Sequence, residues 1–309
     1  PALPPVQAAR VKAYNIVARR RWFGEVGVGL DGLVDGGRTR RNFFFAPWRE
    51  GTVIGTMYTP FDGPGDACRL DSSEIRSFVA EINQLYPPAR LNLADITFAH
   101  VGLVPGRVDR SGRILPEPSG TTRILEAREL GGREGLLVVS GVKYTTAAKV
   151  ADQVVARLIK RLGPSADHMP DCALYGAEQI ALPSDVLAQA RQVAWNMPED
   201  MAEWLAAHMG SCHPRLIAMT RTNTGWRAAL PGTGIPKVAV LYAVQEEDAV
   251  HLTDVVFRRT DLGTFAYPGD EALTVVADWM GEALGWDAGE RAREIEAVRQ
   301  HYRDVGIML

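Results

Sequence analysis

A chain of 309 residues, 46% apolar and 23% charged, exceeds the usual span of one domain and predicts two compact units, each able to bury a core. Its formal net charge of −3 leaves no broad basic field and excludes the common nucleic-acid-binding classes. Three widely spaced cysteines, Cys68, Cys172 and Cys212, fit a reducing, cytoplasmic setting better than a disulfide framework, and Cys212-His213 lacks further ligands at metal-binding spacing.

No run reaches the roughly 18 uninterrupted apolar residues of a membrane-spanning helix, so any membrane contact is expected to be peripheral, on the inner face. Pro1 to Ala9 has neither a starting Met nor the basic-then-apolar pattern of a signal peptide, and reads as a chain cut in mid-protein.

In chain order, Ala13 to Asp62 has the apolar patterning of strands, with stretches at Asn15–Ala18, Asn42–Pro47 and Thr52–Thr56. The polar, Gly-rich segment Asp31–Arg41 reads as a loop. Asp71 followed by Glu74 forms a capping-box pattern, and Ile75, Phe78, Val79, Ile82 and Leu85 continue at helical spacing until Pro87 and Pro88 stop the helix. A strand over Ile96–Val101 leads to a Gly- and Pro-rich loop, Gly102–Gly120. Gly135–Ser140 then reads as a buried strand, Gly141–Thr146 as a tight turn and Ala147–Leu162 as a helix. Beyond Pro170 helical patterns dominate, at Ser184–Asn196, Pro198–Met209, Lys237–Glu247, Gly269–Gly285 and Asp287–Tyr302.

Two glycine-rich strings invite a cofactor. Gly27-Val28-Gly29-Leu30-Asp31-Gly32 matches the dinucleotide fingerprint, yet Arg19-Arg20-Arg21 precedes it and Gly36-Gly37 follows, so no helix N-terminus is placed to meet a pyrophosphate. Ser140-Gly141-Val142-Lys143-Tyr144-Thr145-Thr146 has the required strand before it and helix after it, with threonines that can cap the helix or reach a ligand. The plainer reading of that turn is a helix cap with a solvated lysine. No G-x-S-x-G elbow and no G-x-x-x-x-G-K-[ST] loop occurs, which sets aside the corresponding hydrolases.

The string Asn42-Phe43-Phe44-Phe45-Ala46-Pro47-Trp48, followed by Val53-Ile54-Gly55-Thr56, resembles the apolar strand, Pro-Trp and Ile-Gly-Thr of the FAD-dependent glycerol-3-phosphate dehydrogenase family. Asp95-Ile96-Thr97-Phe98, Gly102 and Pro105, Thr122-Arg123, the Gly141–Thr146 turn and Asp254 with Arg258-Arg259-Thr260 and Leu262-Gly263 follow in that family's order. The resemblance covers nearly the whole chain.

It implies an α+β fold: residues 1–120 an antiparallel substrate-binding sheet region, 121–166 the closing strand and helix of an FAD-binding domain, and 167–309 an α-helical C-terminal domain, with the segment carrying the pyrophosphate loop absent. It implies FAD as cofactor, held at Gly141, Val142, Lys143, Tyr144, Thr145 and Thr146, with Lys143 also facing the substrate beside Thr145. The implied reaction is hydride transfer from the carbinol of a polyol phosphate to the flavin and then to a quinone, in a protein that could pair as a homodimer.

Two positions depart from the family pattern. Val104 stands where an arginine binds the substrate phosphate, and Asn15 stands where a histidine is expected; asparagine can hydrogen-bond a substrate but cannot act as a base. His100, before the Gly102 turn, is the candidate to take over proton abstraction, against a purely structural role. Arg19, Arg20 and Arg21 could supply the lost phosphate contact, against surface solvation, and Asp254–Arg258 has the spacing of a helical ion pair. The competing reading of the chain is a noncatalytic interaction or regulatory module that retains the family scaffold.

Overall fold

The computed structural model describes residues 9–108, 110, 114–116, 122–141, 143–163 and 181–307. Two compact units divide the chain, Pro1–Pro170 and Asp171–Leu309.

The first unit is built on a six-stranded sheet of β1 (Arg10–Ala18), β2 (Val28–Val34), β3 (Thr39–Trp48), β4 (Gly51–Phe61), β5 (Ile96–Val108) and β6 (Ile114–Pro116). Its order is β2-β3-β4-β1-β5-β6, and every pairing is antiparallel, so β1 is an interior strand with β4 on one side and β5 on the other. Helix α1 (Ser72–Leu85) buries Ile75, Phe78, Val79 and Ile82 against one face of this sheet. There Phe78 meets the rings of Tyr14 and Phe43 edge-on at 5.7 and 4.9 Å. Tyr14, Ile16, Phe43, Phe45 and Ile54 complete this core, and burial raises the Tyr14 phenol far above its ordinary pKa.

The capping box forms as expected: Asp71 accepts from Ser73 and Glu74 amides, and Glu74 reaches back to the Asp71 amide at 3.1 Å. Glu74 does a second task that the sequence pattern did not disclose. Its carboxylate pairs with the buried ammonium of Lys12 at 2.5 to 2.6 Å, and Lys12 also donates to the Arg69 carbonyl at 2.9 Å. A buried ammonium without a partner carries most of its desolvation penalty, so this pair ties the N-terminus of α1 to β1.

Several expectations need correction. Asp31–Arg41 is mostly paired strand, with the turn confined to the residues between β2 and β3; Arg40 and Asp31 are diagonal neighbours across the hairpin and form a two-pronged ion pair. Their polarity marks an exposed sheet surface rather than a loop. The segment after Gly102 continues as β5 to Val108 and pairs with β6, because Arg10 to Ala13 supply a ladder for Gly102 to Pro105. Arg19, Arg20 and Arg21 lie past the end of β1; Arg20 donates to the Arg90 carbonyl and lies over Trp22, and Arg21 pairs with Glu25.

The remainder of the unit holds a small hairpin, β7 (Arg123–Glu126) with β8 (Leu137–Ser140), followed by α2 (Ala147–Leu162). Strand β8 is part-exposed, with Val139 48% accessible, not the buried strand its composition suggests. Arg157 of α2 donates to the Ile124 carbonyl and Arg161 pairs with Glu126, which holds the helix to the hairpin.

The second unit is helical: α3 (Pro183–Gln192), α4 (Glu199–Met209), α5 (His213–Met219), α6 (Lys237–Glu246), α7 (Leu252–Asp254), α8 (Asp270–Leu284) and α9 (Ala288–Asp304). Helix α6 buries six consecutive residues, Val238 to Ala243, as an apolar helix surrounded by its neighbours should. Helix α5 was not foreseen: it is short and opens with Pro214 in its first turn, and its His213 ring is held by the Gly210 carbonyl at 2.8 Å. The Asp254–Arg258 ion pair forms at 2.8 Å as α7 runs into a π-turn, Val255–Arg259. Tyr302 of α9, fully buried, places its hydroxyl within 2.7 and 2.9 Å of the Gly263 and Ala266 carbonyls.

Loss of the Glu74 carboxylate should destabilise the first unit. Glu74→Ala is expected to cost about 3 kcal/mol in denaturant unfolding, and the double variant Lys12→Met with Glu74→Leu less than half of that, because both charges then leave together. Equal losses would contradict this role.

The second unit carries a pH dependence. Donation from His251 Nδ1 to the Glu294 carboxylate at 2.9 Å holds the imidazole above its ordinary pKa, while the other Glu294 oxygen accepts from the Leu252 amide. Because the folded value is raised, the contribution is complete below about 6.5 and is lost as pH rises through the raised value. Wild type should therefore lose Tm relative to His251→Asn between pH 6 and 9; parallel curves would contradict the pairing.

Candidate functional site

Strand alternation decides which side chains of β1 are available for chemistry. Lys12, Tyr14 and Ile16 point to α1, so Asn15 points to the opposite face. That face is not covered by α1: Phe44 and Tyr58 remain 60% and 45% accessible on it.

Across the pairing of β1 with β5, Asn15 stands directly opposite His100, Ala13 opposite Gly102 and Val11 opposite Val104. His100, exposed at the sheet surface, presents its ring edge-on to Phe98 at 4.9 Å. On the other side of β1, the Thr56 hydroxyl of β4 donates to Asn15 Oδ1 at 2.8 Å. The structure thus brings Asn15 and His100 together, with Thr56 as a third member that sequence reasoning quoted only as part of a strand motif.

Val104 lies on the same face as His100, four residues or about 13 Å further along β5. With Leu103 and Pro105 it forms one wall of a cavity of about 660 Å³. The opposite wall comes from Thr122, Val139, Gly141, Lys143, Tyr144 and the first turns of α2, Ala147 to Val155. Lys143 is the one charged side chain among these lining residues. Tyr144 is 96% accessible and stands at the mouth.

Gly141, Lys143 and Tyr144 therefore face the cavity, whereas Thr145 is exposed and not part of its lining; Val142 lies outside the described residues. A threonine cap on α2 is not observed. The Thr146 hydroxyl donates back to the Lys143 carbonyl at 3.0 Å, and no side chain caps the helix. The Ala147 amide at the start of α2 donates to the Tyr144 carbonyl, and the positive end of the helix dipole adjoins the cavity wall at Ala147.

The other glycine string, Gly27 to Gly32, lies at and within β2 and is followed by the β2–β3 hairpin, so it presents no helix N-terminus to a phosphate. Among the described residues no cluster of His, Cys, Asp or Glu is arranged for a metal ion, and no helix is long and apolar enough to cross a membrane.

An antiparallel sheet with one face covered by a helix, a strand–turn–helix that shares a cavity with it, and a separate helical unit define a mixed α and β protein. Residues 167–291 match the family described as the C-terminal domain of alpha-glycerophosphate oxidase. The chain is 25% identical over 274 residues to a glycerol-3-phosphate dehydrogenase of Synechocystis, covering 85% of this chain and 47% of that protein. It is 26% identical over 292 residues to the mitochondrial glycerol-3-phosphate dehydrogenase of Bos taurus, covering 90% of this chain and 38% of that one.

In structure it is similar to the glycerol-3-phosphate dehydrogenase of Bacillus halodurans, solved in complex with FAD, with a TM-score of 0.72 at 20% identity, over 96% of this chain and 57% of that one. The resemblance to FAD-dependent glycerol-3-phosphate dehydrogenases read from the sequence motifs is thus borne out, and the fold is theirs. The chain spans less than half the length of these two curated relatives.

Proposed function

We propose that this chain is the substrate-binding and C-terminal portion of an FAD-dependent oxidoreductase that oxidises a carbinol, with a polyol phosphate as the substrate class suggested by its relatives. In this assignment residues 1–120 bind substrate, 121–166 complete the flavin domain and 167–309 form the helical C-terminal domain. The observation that carries the reading is the shared cavity, whose walls are the Val104 segment of β5 and the Lys143-bearing turn.

The lining residues fit the ring portion of a flavin: an apolar wall for a planar heteroaromatic, and the Thr122 hydroxyl, the Lys143 ammonium and the positive end of the α2 dipole for its polar edge. Gly141, Lys143 and Tyr144 would hold it, with Val142, Thr145 and Thr146 completing the turn. None of the described glycine-rich segments offers a seat for the pyrophosphate. FAD would supply the two-electron acceptor for the hydride, with a quinone as the final oxidant.

The protein's part is positioning and proton management. His100 takes the hydroxyl proton of the substrate, Asn15 hydrogen-bonds its oxygen, and Lys143 stabilises negative charge developing there. Thr145 is assigned to the substrate side of the turn. A homodimer and peripheral attachment to the inner face of the membrane, where quinones reside, complete the proposal. The alternative of a noncatalytic scaffold draws no support from relatives that are named as dehydrogenases.

Val104 in place of a phosphate-binding arginine argues that glycerol 3-phosphate itself is not the preferred substrate, since a valine offers no donor. In the FAD-loaded protein, expressed with whatever sequence its gene places upstream, anaerobic glycerol 3-phosphate should bleach the flavin slowly and without saturation. Val104→Arg should improve the apparent affinity about tenfold or more, the scale of a hydrogen bond to a charged group. Robust, saturable bleaching of the wild type would contradict the substrate assignment; no flavin binding would contradict the enzyme.

A further inference from the structure

Across the exposed sheet face beside His100, the Thr56 hydroxyl donates to Asn15 Oδ1 at 2.8 Å. This contact joins β4 to β1 at the place where their register shifts, between Tyr14 and Ile16, so the backbone ladder is irregular there. The neighbouring Gly55 leaves room for the Asn15 amide: a Cβ at Gly55 would collide with Asn15 Oδ1 and stand 2.6 Å from its Cγ. Any larger residue at that position must displace Asn15.

A carboxamide has one acceptor oxygen and two N–H donors. With Oδ1 engaged by Thr56, the Asn15 nitrogen is the end left to serve a ligand, and the residue in direct register on the next strand is His100. Thr56, Asn15 and His100 therefore form a row across β4, β1 and β5, ordered as hydroxyl, amide and imidazole.

We propose that Thr56 is a positioning residue for the reaction: by holding Asn15 Oδ1 it presents the Asn15 amide N–H groups, beside His100, as the hydrogen-bond donor to the substrate oxygen. The inference rests on the assignment of this face as the carbinol-oxidising site. During oxidation the O–H bond breaks and its proton passes to the His100 imidazole. The C–H electron pair leaves as hydride to FAD, and the oxygen becomes a carbonyl that can only accept hydrogen bonds. A donor fixed in advance at that oxygen favours the product-like transition state over the alcohol, which can also serve as a donor itself.

The test compares Thr56→Val, which keeps the shape and removes the hydroxyl, with Thr56→Ser, which restores it. One arm follows the Asn15 side-chain amide by ¹⁵N NMR in the 309-residue protein, with the resonance assigned by its loss in Asn15→Asp. The other follows anaerobic bleaching of the FAD-loaded protein by glycerol and by glycerol 3-phosphate, with Tm as control. In Thr56→Val the Asn15 amide should shift and lose order, and the bleaching rate at a fixed alcohol concentration should fall about tenfold, less than the roughly 100- to 1,000-fold cost of removing an oxyanion-hole donor outright. Tm should hardly move, and Thr56→Ser should recover both signals.

An unchanged Asn15 amide, or a rate loss that follows Tm and is not recovered by serine, overturns the positioning role alone. A wild-type protein that binds flavin and is bleached by neither alcohol overturns the functional reading, and the role of Thr56 with it.

Discussion

The pairing of Lys12 with Glu74 sets the geometry on which the rest of the first unit depends. An ammonium buried inside a protein must keep a partner, and Lys12 has two, the Glu74 carboxylate and the Arg69 carbonyl. Since Glu74 is also half of the capping box, the start of α1 and one face of β1 are fixed together. Strand alternation then leaves no choice for the next residues: Tyr14 and Ile16 join the core and Asn15 faces away from it. A one-residue slip of β1 would bury Asn15 and expose Tyr14, which the apolar contact of Tyr14 with Phe78 opposes.

This constraint explains why an interior strand can present core residues on one face and polar residues on the other. Its two neighbours, β4 and β5, bring Thr56 and His100 to the same face as Asn15, while the face toward α1 supplies the stability. The cavity at Val104 and Lys143 belongs to the same unit and is lined by residues that contribute little to the core, as α2 has no buried side chain. The helical unit has a separate core around α6, and its match to the C-terminal domain of alpha-glycerophosphate oxidase concerns architecture, not the reacting groups.

Local signals were legible where local chemistry determined the outcome. The Asp71–Glu74 box, the proline stop after Leu85, and the helices that became α2, α4, α8 and α9 could be read from capping and periodicity within a residue or two. Polar or glycine-rich strands were not legible. Asp31–Arg41 looks like a loop because one surface of its hairpin is solvated, and Gly102–Val108 because Pro105 and Gly106 are poor strand formers that a ladder with β1 nevertheless holds. For the site, the Gly141–Thr146 turn announced itself, but the failure of Thr146 to cap α2 did not. Asn15 and His100 could each be singled out, whereas their adjacency is a property of register between strands distant in sequence, and Thr56 acquires a role only once that register is known.

The central claim is that the functional face of the sheet is the one opposite α1. A crystal structure of the protein with flavin bound tests it most directly. The account predicts the isoalloxazine ring between the Gly141–Thr146 turn and β5, with its reactive edge toward Asn15 and His100. A flavin ring seated on the α1 side, or away from both the turn and the Asn15–His100 pair, would contradict it.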